Sequence, residues 1–365
     1  MGPVTIEFEQ QFARHIGTRH AIAVSSCTAG LHLSLDAIGI EAGDEVIVPT
    51  TTFTATAEVV AYSGARPVLA DIDPVSLNID PAEIERRITP RTKATIPVHY
   101  GGQPCDMASI LAISKPHSVH VIEDAAHSLP ASYRGTCVGA IGEMTVFSFY
   151  ATKTLTTGEG GMITTNNDEY ASRMRLMRLH GIGRDAWKRY TAEGSWYYEV
   201  LEAGYKYNMT DIQAAMGLVQ LGKLQQMASA RSRIASRYNE AFGQMEQLEI
   251  PSVRQDSESA WHLYPLRIRN ELLTISRDEF ISALKEEGIG TSVHFIPLHL
   301  QPYYQKKYGY RAGDLPRAEA EYRRYISLPI FPTMQDREIE YVVEKVKQIV
   351  TANSRTTVFA GRATD

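Results

Sequence analysis

Short β-branched runs alternate with helix-like stretches through the first part of the chain, and this alternation limits the fold more than any other feature. The strand-like runs are residues 21–24, 45–48, 67–72, 94–98, 119–122 and 145–149, and the first helix-like stretches are residues 28–38, 54–62 and 81–88. Strands separated by helices are typical of βαβ units, in which helices cover both faces of a parallel sheet. The sequence therefore predicts an α/β fold with a mostly parallel central sheet.

The alternation ends near residue 166, and the rest of the chain predicts a second, smaller unit. Residues 181–203 are rich in aromatic, charged and glycine residues, which indicates a long ordered loop with a function. Helices are expected at residues 168–179, 211–245, 277–287 and 336–349, with one strand from residue 260 and another at residues 291–295. We expect a large domain at residues 1–225, a small α+β domain at residues 226–350 and a polar tail at residues 351–365.

Composition excludes several classes of protein. Of the 365 residues, 44% are hydrophobic and 22% are charged, which fits a folded globular chain rather than a disordered one. The net charge of −5 offers no basic surface to nucleic acid or an anionic membrane, and no apolar run approaches the roughly 18 residues that span a bilayer. The three cysteines are too few and too scattered for a disulfide framework or a cysteine-based zinc site. Because the N-terminus also lacks an apolar signal core, we expect a cytoplasmic protein.

Small and hydroxyl residues at positions 25–30 (Ser-Ser-Cys-Thr-Ala-Gly) separate the first predicted strand from its helix. Such residues let the backbone approach a ligand closely, and the free N–H groups at a helix N-terminus favour an anion. The same residues also suit an ordinary helix N-cap. The segment is neither a glycine-rich dinucleotide fingerprint nor a P-loop.

Asp124 follows another predicted strand, in the segment Ile-Glu-Asp-Ala-Ala-His. In parallel α/β sheets, ligands bind at the carboxyl ends of the strands. An acid at that place either pairs with a cation on a ligand or caps a helix. His127, three residues later, is either a ligand contact or a buried histidine with its partners in the core.

Lys153 follows a third predicted strand and lies among alanine and threonine residues, ahead of a glycine-rich turn at residues 158–161. Most lysines are solvated surface charges, but these neighbours suit a lined pocket better than an exposed face. A partly desolvated lysine has a lowered pKa and can act as an amine nucleophile. An anion site, an acid for a ring cation and such an amine are together what pyridoxal 5'-phosphate (PLP) requires.

Residues 147–161 and 204–215 carry a resemblance to a known family. The first segment reads Phe-Ser-Phe-Tyr-Ala-Thr-Lys and continues to Gly-Glu-Gly-Gly, and the second reads Gly-Tyr-Lys-Tyr-Asn-Met-Thr-Asp-Ile-Gln-Ala-Ala. With these segments, and over nearly its whole length, the chain resembles the DegT/DnrJ/StrS family of PLP-dependent sugar aminotransferases. The resemblance implies the fold-type I aminotransferase architecture and no metal. It is strongest to enzymes that aminate 4-keto sugars carried on UDP.

Roles for individual residues follow from the resemblance, position by position. Lys153 is expected to form the Schiff base with PLP, and Asp124 to pair with the pyridine nitrogen. His127 is expected beside the ring, with Phe53 as an aromatic neighbour. The remaining expected cofactor contacts are to the phosphate, from Thr28, Ala29 and Ser148 within one subunit and from Lys206 or Asn208 of a neighbouring subunit.

The implied activity is transfer of an amino group from L-glutamate to a nucleotide-linked 4-keto sugar, with UDP as the expected nucleotide, for surface-polysaccharide or other glycan precursors. The implied assembly is a homodimer with shared active sites. The expected substrate contacts are Arg184, Lys188, Arg189, His294 and His299. Relatives usually carry a further helix and loop ahead of the Gly2-Pro3 stretch, where this chain begins, and that piece helps to close the sugar side of the site.

Three other functions are compatible with parts of the sequence. A PLP-dependent sugar dehydratase of the same family would have histidine in place of Lys153. A non-catalytic regulator that holds the cofactor is disfavoured by the presence of both Asp124 and Lys153. An NAD-dependent sugar oxidoreductase is disfavoured because the glycine fingerprint is absent.

Overall fold

The computed structural model describes residues 1–183 and 197–355. The strands are β1 (His20–Val24), β2 (Glu45–Pro49), β3 (Arg66–Ala70), β4 (Thr92–Thr95), β5 (His120–Asp124), β6 (Ser132–Tyr133), β7 (Thr136–Cys137), β8 (Met144–Ser148), β9 (Gly161–Thr165), β10 (Leu248–Glu249), β11 (Ser257–Glu258), β12 (Tyr264–Ile268) and β13 (Tyr325–Leu328). The helices are α1 (Pro3–Ile16), α2 (Cys27–Ala37), α3 (Ala55–Tyr62), α4 (Pro81–Arg87), α5 (Met107–Ser114), α6 (Asp168–Met177), α7 (Asp211–Phe242), α8 (Arg277–Glu286), α9 (Pro302–Tyr308), α10 (Pro316–Tyr322) and α11 (Asp336–Asn353).

A seven-stranded sheet in the order β1-β9-β8-β5-β4-β2-β3 forms the centre of the fold. Strand β2 pairs in parallel with β3 and β4, and β5 pairs in parallel with β4 and β8. Strand β9 is antiparallel to both of its neighbours, β1 and β8. The predicted α/β fold with a mostly parallel sheet is therefore confirmed. Since β9 alone runs against the others, the carboxyl ends of β1, β2, β4, β5 and β8 lie at one edge, where β9 begins.

A smaller antiparallel sheet, β10-β12-β13, packs on the second half of α7 together with α8 and α11. Phe242 of α7, Leu266 of β12, Phe280 of α8 and Val346 of α11 are fully buried in this second core. The segment between β12 and β13 also returns to the large sheet, because Tyr304 is buried within the first core. Within the described ranges, no helix has both the length and the apolar character needed to cross a bilayer.

Helix α1 was not expected from the sequence, although Phe8, Phe12 and Ile16 repeat at i, i+4 and i+8 and form one buried face. The two phenylalanine rings pack on Phe147 and Phe149, with ring centroids 5.3–5.6 Å apart across the contact. This packing fixes the backbone of the segment that leads from β8 to Lys153.

No strand forms at residues 291–295, so the prediction of a strand there is wrong. Only Ser292 forms a β-bridge, to Ser327 of β13. The carbonyl groups of His294 and Phe295 instead accept hydrogen bonds from the hydroxyls of Tyr100 and Tyr325. Side-chain donors therefore satisfy this backbone in place of a neighbouring strand.

Gly30 in α2 lets that helix lie close to the large sheet. A Cβ added at Gly30 would lie 2.5 Å from Cγ1 of Val146 in β8. We expect Gly30→Ala to lower the free energy of unfolding by about 1–3 kcal/mol, because the better helix propensity of alanine does not offset the clash in a packed core. Urea unfolding measures the change. Gly222→Ala in α7 is the matched control and should not destabilise the chain, because an added Cβ there would meet no atom of the described residues within 4 Å beyond its own helix backbone. Equal stability of Gly30→Ala and the unmodified protein would mean that α2 can shift without cost.

Candidate active site

A cavity of about 400 Å³ opens at the edge of the large sheet where the parallel strands end. Its walls come from the residues that follow β1, β2, β5 and β8, and from residues 262 and 294–295 in the second half of the chain. The lining brings together, from the expected site residues, Thr28, Phe53, Asp124, His127, Ser148, Lys153 and His294. Segments far apart in the sequence thus converge because parallel strands share one carboxyl edge.

Asp124 places a carboxylate at the floor of the cavity, at the end of β5. Its side chain is almost fully buried. The Oδ2 atom accepts a hydrogen bond of 2.8 Å from the hydroxyl of Thr56, and Oδ1 accepts one of 3.1 Å from the backbone N–H of Ala126. Burial raises the pKa of Asp124, while these hydrogen bonds and the nearby Lys153 act in the opposite direction. A ligand cation placed against the carboxylate would favour its charged form.

Lys153 supplies an amine to the same cavity from the loop after β8. The loop is held by backbone hydrogen bonds of 2.9 Å from Phe149 N–H to the Gly160 carbonyl and from Thr157 N–H to the Phe149 carbonyl. Burial lowers the pKa of Lys153, and Cys27 and Asp124 partly oppose that shift. The amine therefore carries a larger neutral fraction near neutral pH than a surface lysine would, as a nucleophile or base requires.

The start of α2 forms a third wall. Ser26 is the N-cap, and its hydroxyl accepts a hydrogen bond of 3.0 Å from the N–H of Ala29. Thr28 lines the cavity, whereas Ala29 is buried behind it. A Cβ on Gly161 would lie 2.8 Å from the backbone nitrogen of Cys27, so only glycine allows β9 to begin this close to the helix. The N-cap expected within residues 25–30 is therefore present, and the start of the helix faces the cavity.

Aromatic and histidine rings close the remaining side. The ring of His127 stacks on Phe295 with centroids 5.9 Å apart and lies 4.4 Å from the ring of His262. The ring centroid of Phe53 lies 6.1 Å from that of Phe295. Burial lowers the pKa values of His127 and His262 well below the ordinary value, and that of His294 to about 4. All three histidines are therefore neutral at physiological pH.

The sequence profile of the DegT/DnrJ/EryC1/StrS aminotransferase family matches residues 1–347. The chain belongs to this family.

Individual relatives agree with the family assignment. The chain is 55% identical to the uncharacterized protein MJ1066 of Methanocaldococcus jannaschii, over 97% of this chain and 92% of that protein. It is 51% identical to the spore coat polysaccharide biosynthesis protein SpsC of Bacillus subtilis, over 96% and 90% of the two chains. Spr1654 of Streptococcus pneumoniae, a candidate sugar aminotransferase, has been solved in PMP and PLP forms. The PMP form superposes with a TM-score of 0.90 at 32% identity, over 96% of this chain and 93% of Spr1654. The expected PLP-dependent sugar aminotransferase class and fold-type I architecture are confirmed.

Lys206 and Asn208 do not line the cavity of their own chain. They are the residues expected to reach the cofactor phosphate of a neighbouring subunit. They bond to each other instead, with 2.6 Å between Nζ of Lys206 and Oδ1 of Asn208. Their segment lies directly beside the start of α2, because the Ser25 N–H donates to the Tyr207 carbonyl at 2.7 Å.

The expected substrate contact at His299 is wrong. The residue is fully buried, with Nδ1 2.8 Å from the hydroxyl of Thr50 and Nε2 2.9 Å from the carboxylate of Glu319. Both ring nitrogens are thus used inside the fold. Arg184, Lys188 and Arg189 lie outside the described residues.

His262 is a cavity residue that sequence reasoning missed. It lies just before β12, and its neighbours Trp261 and Leu263 give no catalytic motif to find it by. Its Nδ1 atom is buried without a hydrogen-bond partner within the described ranges. The same ranges contain no cluster of three or more histidine, cysteine or acidic side chains able to hold a metal ion.

The depressed pKa of His262 predicts how stability changes with pH. Below the unfolded-state pKa of about 6.5, the unfolded chain binds a proton that the folded site rejects, so stability falls as the pH falls. When the pH falls from 7.5 to 5.5, one such histidine lowers the free energy of unfolding by about 1 kcal/mol. Urea unfolding of the PLP-free proteins measures this loss of stability. Between the two pH values, His262→Gln should lose less stability than the unmodified protein, by about this amount. An identical loss in both proteins would show that His262 does not stay neutral in the fold.

Proposed function

We propose that the protein transfers an amino group from L-glutamate to a UDP-linked sugar with a ketone at carbon 4, as a step in glycan precursor synthesis in the cytoplasm. The observation that carries the proposal is the presence of a half-buried amine, Lys153, and a buried carboxylate, Asp124, in the lining of one cavity. Similarity to the polysaccharide biosynthesis protein SpsC supports the sugar class. The resemblance of residues 204–215 to UDP-4-keto-sugar enzymes supports the nucleotide and the ring position.

The residues of the cavity fit PLP. Asp124 would pair with the ring nitrogen, since its oxygens are held by Thr56 and Ala126 and have no cationic side chain bonded to them in the described ranges. Lys153 would attach to the cofactor covalently. Thr28 stands at the start of α2, where N–H groups favour a phosphate, and Ala29 would contribute from behind it. Ser148 lines the same cavity from the end of β8 and would add its hydroxyl. When bound, PLP supplies the electron sink that stabilises a carbanion at the reacting carbon.

Lys153 moves the proton in this proposal. Once its amine is released by the incoming amino group, the neutral Nζ can accept a proton from the donor carbon and return one on the other side of the transfer. The lowered pKa of Lys153 suits this role. A lysine at this place, rather than histidine, also separates the protein from the dehydratase branch.

Neutral histidines orient the ligands. His127 accepts a hydrogen bond at Nδ1 from the N–H of Gly101, at 3.3 Å, which leaves its Nε2 atom as a donor. That donor would serve the ring oxygen of the cofactor. His294, anchored at 2.9 Å to Ser327, faces the cavity mouth and would contact the sugar nucleotide, with Arg184, Lys188 and Arg189 as further candidates.

A homodimer would complete the site. Ile212, Met216 and Val219 are exposed on one face of α7, at helical spacing, directly after the segment of Lys206 and Asn208. Packing this face against a second copy would bury it. Lys206 or Asn208 would then reach the phosphate of the partner's cofactor.

We expect Lys153→Ala to lower the transamination rate at least about 1,000-fold, since both the covalent attachment and the proton shuttle are lost. The PLP absorbance that depends on the lysine should disappear, whereas the melting temperature should stay close to that of the unmodified protein. Lys115→Ala, at an exposed position, is the control. Normal turnover in the Lys153 variant would refute the role given to this lysine.

A panel of nucleotide sugars tests the acceptor. With glutamate as donor, UDP-linked 4-keto sugars should react with a kcat/KM at least about tenfold above that of dTDP- or GDP-linked analogues and of 3-keto sugars. The product is identified by mass spectrometry and NMR. Preferential turnover of a dTDP- or GDP-linked or a 3-keto substrate would contradict the acceptor while leaving the aminotransferase class in place.

A further inference from the structure

A small cavity lies where the turn that follows β4 meets the residues leading into β12. Its lining comes from residues 75–77, 100, 101 and 103 in the first half of the chain, and from residues 251–253 and 259–267 in the second half. It leaves about 20 Å³ for the centres of water molecules, against about 400 Å³ in the cavity of Lys153. The space is far too small for a substrate, but it is large enough for a water molecule.

Gln103 presents a carboxamide to this cavity. The residue is 7% exposed, and neither its Oε1 nor its Nε2 atom has a hydrogen-bond partner in the part of the chain that the structure describes. Its backbone is fixed, because the N–H donates to the Tyr100 carbonyl at 2.9 Å and the carbonyl accepts from Nδ2 of Asn78 at 3.0 Å. A buried carboxamide without partners is costly, so a partner from outside the chain is expected.

Arg267 of β12 brings a second unpaired polar atom to the same lining. The residue is 2% exposed, and its Nε atom has no partner within residues 1–183 and 197–355. Its charge is already balanced, since Glu249 and Glu321 lie 2.6 and 3.2 Å from its terminal nitrogens and Arg324 bonds to the same two acids. No charge is left over for an ion. A neutral ligand that both donates and accepts hydrogen bonds suits the site, and water is small enough.

The segments that meet at this cavity also support the histidine rings of the active site. The N–H of Leu263 donates to the Gly101 carbonyl at 3.1 Å, and the N–H of Gly101 donates to Nδ1 of His127 at 3.3 Å. The carbonyl of His262 accepts a hydrogen bond of 3.3 Å from Nη1 of Arg231 in α7. The small cavity therefore lies directly behind the backbone that carries two of the rings facing Lys153.

We propose that this cavity is a binding site for a resident water molecule, held between the carboxamide of Gln103 and the Nε–H of Arg267. One water can donate to Oε1 of Gln103 and accept from Nε of Arg267, so it would satisfy polar atoms on both sides of the cavity. The water would thereby join the turn after β4 to the small sheet and stabilise the contact between them.

Gln103→Met distinguishes a hydrated carboxamide from a dry one. Methionine has a similar size and no amide group, so replacing a dry, unpaired carboxamide would raise the melting temperature. Replacing a carboxamide that holds a water lowers it, because the water loses its anchor and Nε of Arg267 loses a well-held partner. We expect the melting temperature of the PLP-free protein to fall by about 2 °C or more. Gln305→Met, at an exposed position of α9, is the matched control and should change it less.

A crystal structure of the unmodified protein shows the site directly. We expect an ordered water within about 3.2 Å of both the Gln103 carboxamide and Nε of Arg267. A cavity without density would overturn the proposal, and so would a higher melting temperature of Gln103→Met. If the variant does not fold, the crystal structure alone decides. Neither measurement needs a substrate, so the result is independent of the proposed transamination.

Discussion

An amine and a carboxylate share one cavity, and the site depends on how the fold tolerates the two groups away from bulk solvent. Burial shifts the pKa values of Lys153 and Asp124 in opposite directions, each toward its uncharged form. Asp124 keeps acceptor bonds from Thr56 and from the Ala126 backbone, and Thr56 in turn lies 2.8 Å from the hydroxyl of Thr52. These donors must be fixed in advance, because a buried carboxylate without them would become neutral. A rigid sheet edge meets that requirement.

The sheet edge supplies the groups from strand ends rather than from one continuous motif. Asp124 ends β5 and Ser148 ends β8. Thr52 lies in the loop after β2, and Thr56 lies in the first turn of α3. Close backbone approach at Gly161 and Gly30 lets α2 and β9 meet beside them. The cavity is therefore a consequence of strand direction and of small residues at two contacts. A change in either would move several functional groups together.

The sequence was sufficient to predict the parts of the site that depend on local pattern. Strand-then-helix alternation predicted the sheet, and Asp124 and Lys153 were found because each follows an apolar strand. His262 and Arg231 could not be found in this way, since their surroundings are made by residues distant in the chain and neither lies in a recognisable motif. His299 shows the converse, because this histidine was expected to contact the substrate but its ring nitrogens are satisfied by Thr50 and Glu319 inside the core.

The histidines near Lys153 differ from Arg231 in their charge. His127, His262 and His294 are kept neutral by burial, and the positive charge of Lys153 opposes their protonation further. They can therefore donate or accept single hydrogen bonds, but they cannot balance a ligand's negative charge. Burial lowers the pKa of Arg231 only to about 10, so Arg231 stays charged at neutral pH. Arg231 lies in the wall of a cavity that also contains Lys153, and its charge therefore remains when the amine of Lys153 is neutral.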